Sequence, residues 1–460
     1  MQLYNTFSRQ LEEFSPIAPP KVTMYSCGPT VYRDIHIGNL RTYLTTDIAR
    51  RVLKLSGFDV TSVMNITDVG HFRYSSELNK TIDPIVEEAR ALGITPLELS
   101  QRYTEKFLKD TERLNVLPQD EMPKASEHIQ EMIEVIQVLI EKGYAYQAEG
   151  NVYFNVEKFP DYGKLSGNTL DKMDELLKAV RISVETDKKD SADFALWKKA
   201  EDRVMSWESP WGMGVPGWHI ECSVMAMKYL GVSLDLHLGG EDLIFPHHED
   251  EIAQSESLTG QPFVGKWLHT SFLLVDDVKM SRSKKNVFTL KDLAEKGYSA
   301  MAFKYLTYQT HYRSKMNFTW EALDAAATAL GKMYEIASQL PSPAGYANKY
   351  EVEFERVLGQ DLNVPRALAI VWEMLRSDEK PEAKAAALYR MDDVLGFNIL
   401  ELSKKLVEVP ENILRMVAER NALRDQKKFH LADQMRMKIE KLGYVVEDKK
   451  LNARVFKKIV

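Results

Sequence analysis

Three groups of residues have types and spacing that suit chemistry. The first is the run TVYRDIHIGN, Thr30 to Asn39, which follows an apolar stretch and opens a helical one. A helix N-terminus there offers unpaired N–H groups and partial positive charge to a phosphate. Gly38 permits close backbone approach, and the side chains of His36 and Asn39 can donate to phosphate oxygens. The same letters fit a capped turn with a surface histidine equally well. The second group is KMSRS, Lys279 to Ser283, with two cations, Lys279 and Arg282, and two hydroxyls on a predicted loop. Such a loop can clamp a triphosphate and follow charge as it develops on pyrophosphate; a basic surface turn looks the same. The third is His247 and Glu251, spaced i, i+4 and therefore on one helix face, together with Cys222 and Cys27 from two other segments. Two thiolates, an imidazole and a carboxylate suit a tetrahedral zinc ion. His248 is an alternative to His247, and free cysteines are commonly buried as small apolar residues.

The elements that must position these groups follow from periodicity. Val22 to Tyr25 reads as a strand entering a Cys-Gly-Pro turn. Leu40, Leu44, Ile48, Val52 and Leu55 mark a helix that Gly57 ends, and VTSVM, Val60 to Met64, is the next strand. A strand–helix–strand opening of this kind begins a parallel nucleotide-binding sheet. The stretch from Leu92 to Gly143 reads as helical, with Ile129, Met132, Ile133, Ile136, Leu139 and Ile140 as one stripe. NVYFN, Asn151 to Asn155, reads as a strand in an insertion, and ETDKKDSAD, Glu185 to Asp193, as a connector. The α/β pattern returns between Gly217 and Gly265, with Leu234 to Leu238 as a strand. Beyond Thr319 nearly everything reads as helix, broken at PSPAGYANKY, Pro341 to Tyr350, and again near Pro410.

The 460-residue chain carries 60 Lys+Arg against 67 Asp+Glu, a net charge of −7, and is 44% hydrophobic. At about 100–200 residues per domain this is roughly three domains. The composition excludes wholesale disorder, and no run approaches the roughly 18 apolar residues of a membrane span. The N-terminal MQLYNTFSRQLEEF lacks a charged-then-apolar leader, and two cysteines are too few to staple the chain, so the expected compartment is the reducing cytoplasm. From Lys404 onward 10 Lys and 5 Arg face 8 Asp+Glu, a net of +7, which leaves −14 on the preceding 403 residues. A basic end on an acidic body fits either a nucleic-acid contact or a solvated surface.

Taken together, the chain resembles class I cysteinyl-tRNA synthetases over essentially its whole length. The matching runs are CGPTVYRDIHIGN from Cys27, NITDVGH from Asn65, ADFALWK from Ala192, SPWGMGVPGWHIECSVM from Ser209, GGEDLIFPHHEDEIAQSE from Gly239 and KMSRSKKN from Lys279. HIGN and KMSRS are shared by many class I synthetases; Cys27 with PGWHIEC and FPHHEDE is the cysteine-specific combination. The resemblance implies an α/β fold with a Rossmann-type parallel-sheet catalytic domain split by an insertion, then a helical bundle and a small basic C-terminal domain. The expected division is 1–120 and 201–268 for the catalytic halves, 121–200 for the connective insertion, 269–318 for the segment carrying KMSRS, 319–402 for a tRNA-binding bundle and 403–460 for an anticodon-side domain. It implies that His36, Gly38 and Asn39, with Thr30 beside them, hold the ATP phosphates, and that Lys279 and Arg282 stabilise departing pyrophosphate. Gly239, Gly240 and Asp242 match the adenosine side, Thr67 and Trp218 the amino-acid pocket, and Cys27, Cys222, His247 and Glu251 the ligands of one Zn²⁺ per chain. The implied activity is ATP–Mg²⁺-dependent activation of L-cysteine and transfer to tRNA(Cys), by a cytoplasmic monomer with no membrane partner.

Several positions depart from the family pattern. Leu238 stands where a glycine is common, Glu241 replaces a small residue, Arg282 replaces a lysine, and Lys284-Lys285 replaces Leu-Gly. Past Glu447-Asp448 the tail reads KKLNARVFKK in place of a segment with proline, glycine and tryptophan. Two other readings compete: a cysteine ligase acting on a small amine, and a non-catalytic cysteine or nucleotide sensor. Retention of the C-terminal region weighs against the first, and retention of Lys279 and the candidate zinc ligands against the second.

Overall fold

A computed structural model describes residues 1–69, 73–75, 80–168, 187–200, 205–281, 284–344, 348–407, 410–448 and 453–457. Arg282, and residues 449–452 and 458–460 of the basic tail, lie outside them. The chain forms two compact units. One comprises Met1–Thr289 with His311–Asn317 and Gly359–Leu362; the other comprises Leu290–Thr310, Phe318–Leu358 and Asn363–Val460.

The first unit is built on a four-stranded sheet. Its elements are β1 (Lys21–Ser26), α1 (Ile37–Leu55), β2 (Asp59–Met64), α2 (Trp218–Leu230), β3 (Leu234–Gly240), α3 (Glu249–Thr259) and β4 (Val264–Thr270). The strands run parallel in the order β4–β3–β1–β2. Leu236 lies opposite Met24, Met24 opposite Ser62, and Gly239 opposite His269. Every residue of β3 is buried, as expected for a central parallel strand. The chain leaves β1 toward β2 and β3 toward β4, so the loops after β1 and β3 diverge. A crevice opens at that switch point, the usual ligand position in such sheets.

The apolar stripe of α1 is buried from Leu40 to Val52, with Leu55 exposed at its end, but Arg41, Asp47, Arg50 and Arg51 are buried too. Each arginine has partners: Arg51 pairs with Asp47 at 2.9 Å and Arg50 with Asp120 at 2.7 Å. Arg41 donates to four backbone carbonyls, those of Ser271 (2.6 Å), Phe272 (3.0 Å), His311 (3.1 Å) and Ser314 (2.6 Å). It fixes the segment after β4 against α1.

The stretch expected to be helical from Leu92 to Gly143 is not continuous. Helices cover Pro84–Leu92, Pro96–Arg113 and Ile129–Glu141, with extended chain between the last two. Pro118 and Pro123 break the helix there. Glu121 and Lys124 form bridges with Val63 and Ile66, and Asp120 accepts from the Ser62 amide at 2.7 Å, so this segment extends the sheet edge. The insertion is a four-stranded antiparallel sheet, Gly214–Pro216, Phe194–Lys199, Asn151–Phe154 and Ala145–Ala148 in spatial order. Its last strand lies beyond residue 200, where the sequence reading closes the insertion.

The second unit is mainly helical, including Trp320–Gln339, Val364–Arg376, Pro381–Leu395, Glu411–Asp425 and Phe429–Lys441. The described part of the tail is extended. Tyr444–Asp448 and Ala453–Lys457 pair as an antiparallel hairpin, and Ile413, Val417, Ile439 and Val446 form a small core beside it. No helix among the described residues is long and apolar enough to cross a membrane.

The Arg41 arrangement yields a prediction. Arg41→Met removes donors from four carbonyls, that of the buried Ser271 among them, and leaves a gap in a buried network, and we expect a loss of about 3 kcal/mol or more. Urea unfolding measures it; a loss below about 1 kcal/mol would show that those carbonyls find other partners.

Candidate active site and metal centre

Cys27 at the end of β1, Cys222 in the second turn of α2, and His247 and Glu251 around the start of α3 converge with all four side chains buried. Their donor atoms lie within 4.8 Å of one another. A tetrahedral ion with bonds of about 2.3 Å to sulfur and about 2.0 Å to nitrogen or oxygen would separate two sulfurs by about 3.8 Å and a nitrogen–oxygen pair by about 3.3 Å. The observed separations are 3.8 Å between the two Sγ atoms, 3.6 Å from Cys27 Sγ to Glu251 Oε1, and 3.1 Å from His247 Nε2 to that oxygen. Among the described residues the buried His247 Nε2 makes no hydrogen bond of good geometry, as suits an atom that would face a cation. The residues therefore fit a zinc-like ion.

His248 fits less well. Its Nε2 is 3.3 Å from Cys27 Sγ but 4.0 Å from Glu251 Oε1. Its other nitrogen is 2.7 Å from His269 Nε2, and His269 continues to the Thr6 hydroxyl at 2.8 Å. His237 Nε2 lies 3.0 Å from Glu251 Oε2. His247 Nδ1 lies 3.0 Å from His219 Nδ1, and His219 Nε2 3.3 Å from Asp250. The imidazole and the carboxylate thus each have an outer partner that fixes orientation.

The charges are interdependent. Burial acts to raise the Glu251 pKa, yet His237 and His247 outweigh it and hold it at about 2. Burial likewise opposes ionisation of Cys222, but its hydrogen bond with Cys27 and the nearby His247 charge bring it to about 6. Cys27 is pushed well above the usual thiol range by burial and by Cys222. Burial acts to lower His247, while Cys222 and Glu251 raise it to about 10. Burial lowers His269 to about 3, keeping it neutral.

A cavity of about 330 Å³ adjoins this cluster at the switch point. Cys27, Thr30, His36, Asn39, Trp218, Gly240 and Asp242 all line it. His36 caps α1, its Nδ1 accepting from the Asn39 amide at 3.2 Å. Burial lowers its pKa, so the ring is neutral at pH 7 and Nε2–H remains a donor. Trp218 stacks on His247 with ring centroids 4.3 Å apart, joining cavity to cluster.

Besides the donors of the cluster, four described site residues, Thr67, Gly239, Lys279 and Gly38, lie off the cavity wall. Thr67 is buried behind it and accepts from Asn65 Nδ2 at 2.9 Å. Gly239 lies beneath: a Cβ there would come within 2.6 Å of His248 Cε1, so its lack of a side chain admits that ring. Lys279 holds its ammonium 4.3 Å from the centre of the Phe272 ring. The two signature loops nevertheless touch. A Cβ on Gly38 would meet the Met280 methyl at 2.3 Å, and the Ile37 amide donates to the Phe288 carbonyl at 2.8 Å.

The sequence reading missed the supporting histidines 219, 237 and 269 and the hub at Asn65. Asn65 Oδ1 accepts from the Gly28 amide at 2.8 Å and lies 3.6 Å from Cys222 Sγ, tying both cysteine segments to Thr67. Histidines clustered near Cys222 and the FPHHEDE run were the available signal. Glu241 turns away from the cavity, accepting from Ser271 Oγ at 2.8 Å and the Phe272 amide at 2.9 Å.

The parallel sheet, the cavity at its switch point and the abutting signature loops define a class I tRNA synthetase catalytic domain. The family model described as "tRNA synthetases class I (C) catalytic domain" matches residues 13–328. Cysteine–tRNA ligase 1 of Burkholderia lata is 40% identical over 99% of this chain and 97% of its own length. Cysteine–tRNA ligases of Caldicellulosiruptor saccharolyticus and Thermococcus onnurineus are also 40% identical, each over 97% of this chain. The chain belongs to the cysteine–tRNA ligase family. Methionyl-tRNA synthetase of Mycobacterium tuberculosis, solved with methionyl-adenylate, shares the fold, with a TM-score of 0.56, 15% identity, and coverage of 85% of this chain and 94% of that one.

We predict that Cys222→Ser weakens Zn²⁺ affinity by at least about 100-fold and that His219→Ala, acting through His247, weakens it by about tenfold. Competition against a chromogenic chelator reads both; retention of full affinity in Cys222→Ser would remove that residue from the ligand set.

Proposed function

We propose that the chain activates L-cysteine with ATP–Mg²⁺ and transfers it to tRNA(Cys). The observation that carries this reading is that Cys27 belongs at once to the donor cluster and to the wall of the cavity holding His36 and Asn39. A centre able to take a thiolate therefore opens onto a place suited to a nucleotide.

The substrate carboxylate is already a nucleophile toward the α-phosphorus, so no base is needed, and catalysis is positioning plus charge stabilisation. His36 donates from Nε2, Asn39 from its side-chain amide and α1 from its first turn to the phosphates, with Gly38 and Thr30 shaping the approach. Gly240 and Asp242 take the adenosine side, and Gly239 supports it from beneath. Trp218 forms the wall of the amino-acid pocket and Thr67 backs it. Lys279 and Arg282 act on the departing pyrophosphate. Cys27, Cys222, His247 and Glu251 hold Zn²⁺, which supplies a soft ligand position that a cysteine thiolate fills far better than a serine hydroxyl. Residues 319–402 and the basic 403–460 segment bind the tRNA. The protein works in this reading as a cytoplasmic monomer, with the six-part division given above.

Charging of total tRNA with cysteine, on protein of measured zinc content, tests the reading. We expect charging with about one zinc per chain. Cysteine-dependent pyrophosphate exchange without charging would assign a different acceptor; absence of both would sink the reading. Lys427 and Lys428 are exposed in the basic segment. Their joint change to Glu is expected to raise the KM for tRNA about tenfold and leave exchange unaltered. Unaltered charging would make that face a solvated surface.

A further inference from the structure

We propose that Arg33, which the signature motif carries but to which no role is yet given, is a phosphate-binding cation of the catalytic cavity. This rests on the function proposed above and deepens it.

Arg33 lines the same cavity as His36 and Asn39, and it is the one lysine or arginine among the described residues of that wall. Two carboxylates share the wall. Asp34 is engaged elsewhere, 2.7 Å from Lys106 Nζ, and Asp242, though its side chain is exposed, has its pKa raised chiefly by desolvation at the cavity wall and makes no ion pair with Arg33 among the described residues. Among the described residues no hydrogen bond or ion pair engages the Arg33 guanidinium. It lies instead with Cζ 3.8 Å from the centre of the Tyr32 ring. Such stacking leaves the in-plane N–H fork directed outward, the form in which arginine grips a phosphate through two bonds. The platform is itself anchored, since Tyr32 packs on Ile85, Ala89 and Leu99 of the two helices Pro84–Leu92 and Pro96–Arg113. A half-buried cation with no ion-pair partner among the described residues, held on a fixed ring in a cavity that must receive a polyanion, is disposed to complete its charge balance with that polyanion. Lys279 sits over Phe272 and off this wall. Arg33 is thus the fixed positive group of the cavity, distinct from the loop cations.

The phosphate has two possible sources, the triphosphate of ATP and the 3′-terminal phosphates of the tRNA; the shared wall with His36 and Asn39 favours ATP. Steady-state kinetics on Arg33→Gln and Arg33→Lys in the full chain tests this. For Arg33→Gln we expect the KM for ATP in cysteine-dependent pyrophosphate exchange to rise about tenfold or more, with a smaller rise for Arg33→Lys. The KM for cysteine and the zinc content should stay within about twofold of the parent. If exchange is unaltered but the KM for tRNA rises and its logarithmic salt slope falls by about one, the phosphate is the tRNA's and the assignment still stands. If neither constant moves, or if both variants lose cysteine binding, zinc and thermal stability together, Arg33 only solvates or braces the loop and the proposal is overturned. Failure of the parent protein itself to support cysteine-dependent exchange would instead sink the functional reading.

Discussion

The constraint on which the first unit depends is the burial of four ionisable donors around one point. Cys27, Cys222, His247 and Glu251 are all withdrawn from water. Groups so placed cannot be relaxed by solvent, and each is stable only through its neighbours. The elements must therefore meet accurately. β1 delivers Cys27, α2 delivers Cys222, and the turn from β3 into α3 delivers His247 and Glu251. The close backbone approach that permits this is visible at Gly28, where a Cβ would fall 1.6 Å from the Asn65 carbonyl oxygen. No side chain fits there. The strand order, with β3 beside β1, brings the segments that follow these two strands to one crevice.

Cluster and cavity consequently share walls. Cys27 and Trp218 belong to the cavity, while Cys27 is also a donor and Trp218 stacks on the donor His247. On the function proposed above, discrimination would depend on what a side-chain atom offers the metal held by this cluster, because thiol and hydroxyl differ little in size. A cavity that sieves by volume discriminates weakly between near-isosteres; one that demands a specific partner atom rejects its absence strongly. The outer histidines serve that demand by holding the imidazole and carboxylate in fixed orientation.

Much of this arrangement was legible in the sequence. Strands β1, β2 and β3 and helix α1 announced themselves by periodicity, because buried parallel strands read as apolar runs and α1 keeps its stripe. What escaped were features that depend on partners distant in sequence. The polar face of α1 looks solvent-exposed in sequence, yet Arg41, Arg50 and Arg51 are buried because carbonyls and carboxylates far along the chain receive them. The extended chain between Arg113 and Ala125 contains few strand formers, and its bridges to Val63 and Ile66 come from pairing geometry rather than propensity. The C-terminal hairpin was hidden for the opposite reason: its charged letters suggested a solvated tail, although Val446 is fully buried. At the site, motifs marked the donors but not their supports. A histidine such as His269 is a lone letter in the sequence, and only the packing of β4 against β3 turns it into a member of the cluster.

The departures from the family pattern show how local compensation confines a substitution. Glu241, where a small residue is common, does not intrude on the cavity, because the Ser271 hydroxyl and the Phe272 amide take both of its oxygens. Arg41 binds the carbonyls of those same two residues, so Ser271 and Phe272 are gripped by an acid on one side and a base on the other. Lys285 stands where glycine is usual and adopts φ 52°, the left-handed region, at a cost of about 1 kcal/mol relative to glycine. Its neighbour Asn286 offsets that cost, accepting from the Ser281 amide at 2.8 Å and reaching the Lys279 carbonyl at 3.4 Å. The turn thus keeps a glycine-type backbone without glycine. Lys285 takes a backbone conformation that glycine adopts at lower cost, in a loop that Asn286 holds through both Ser281 and Lys279.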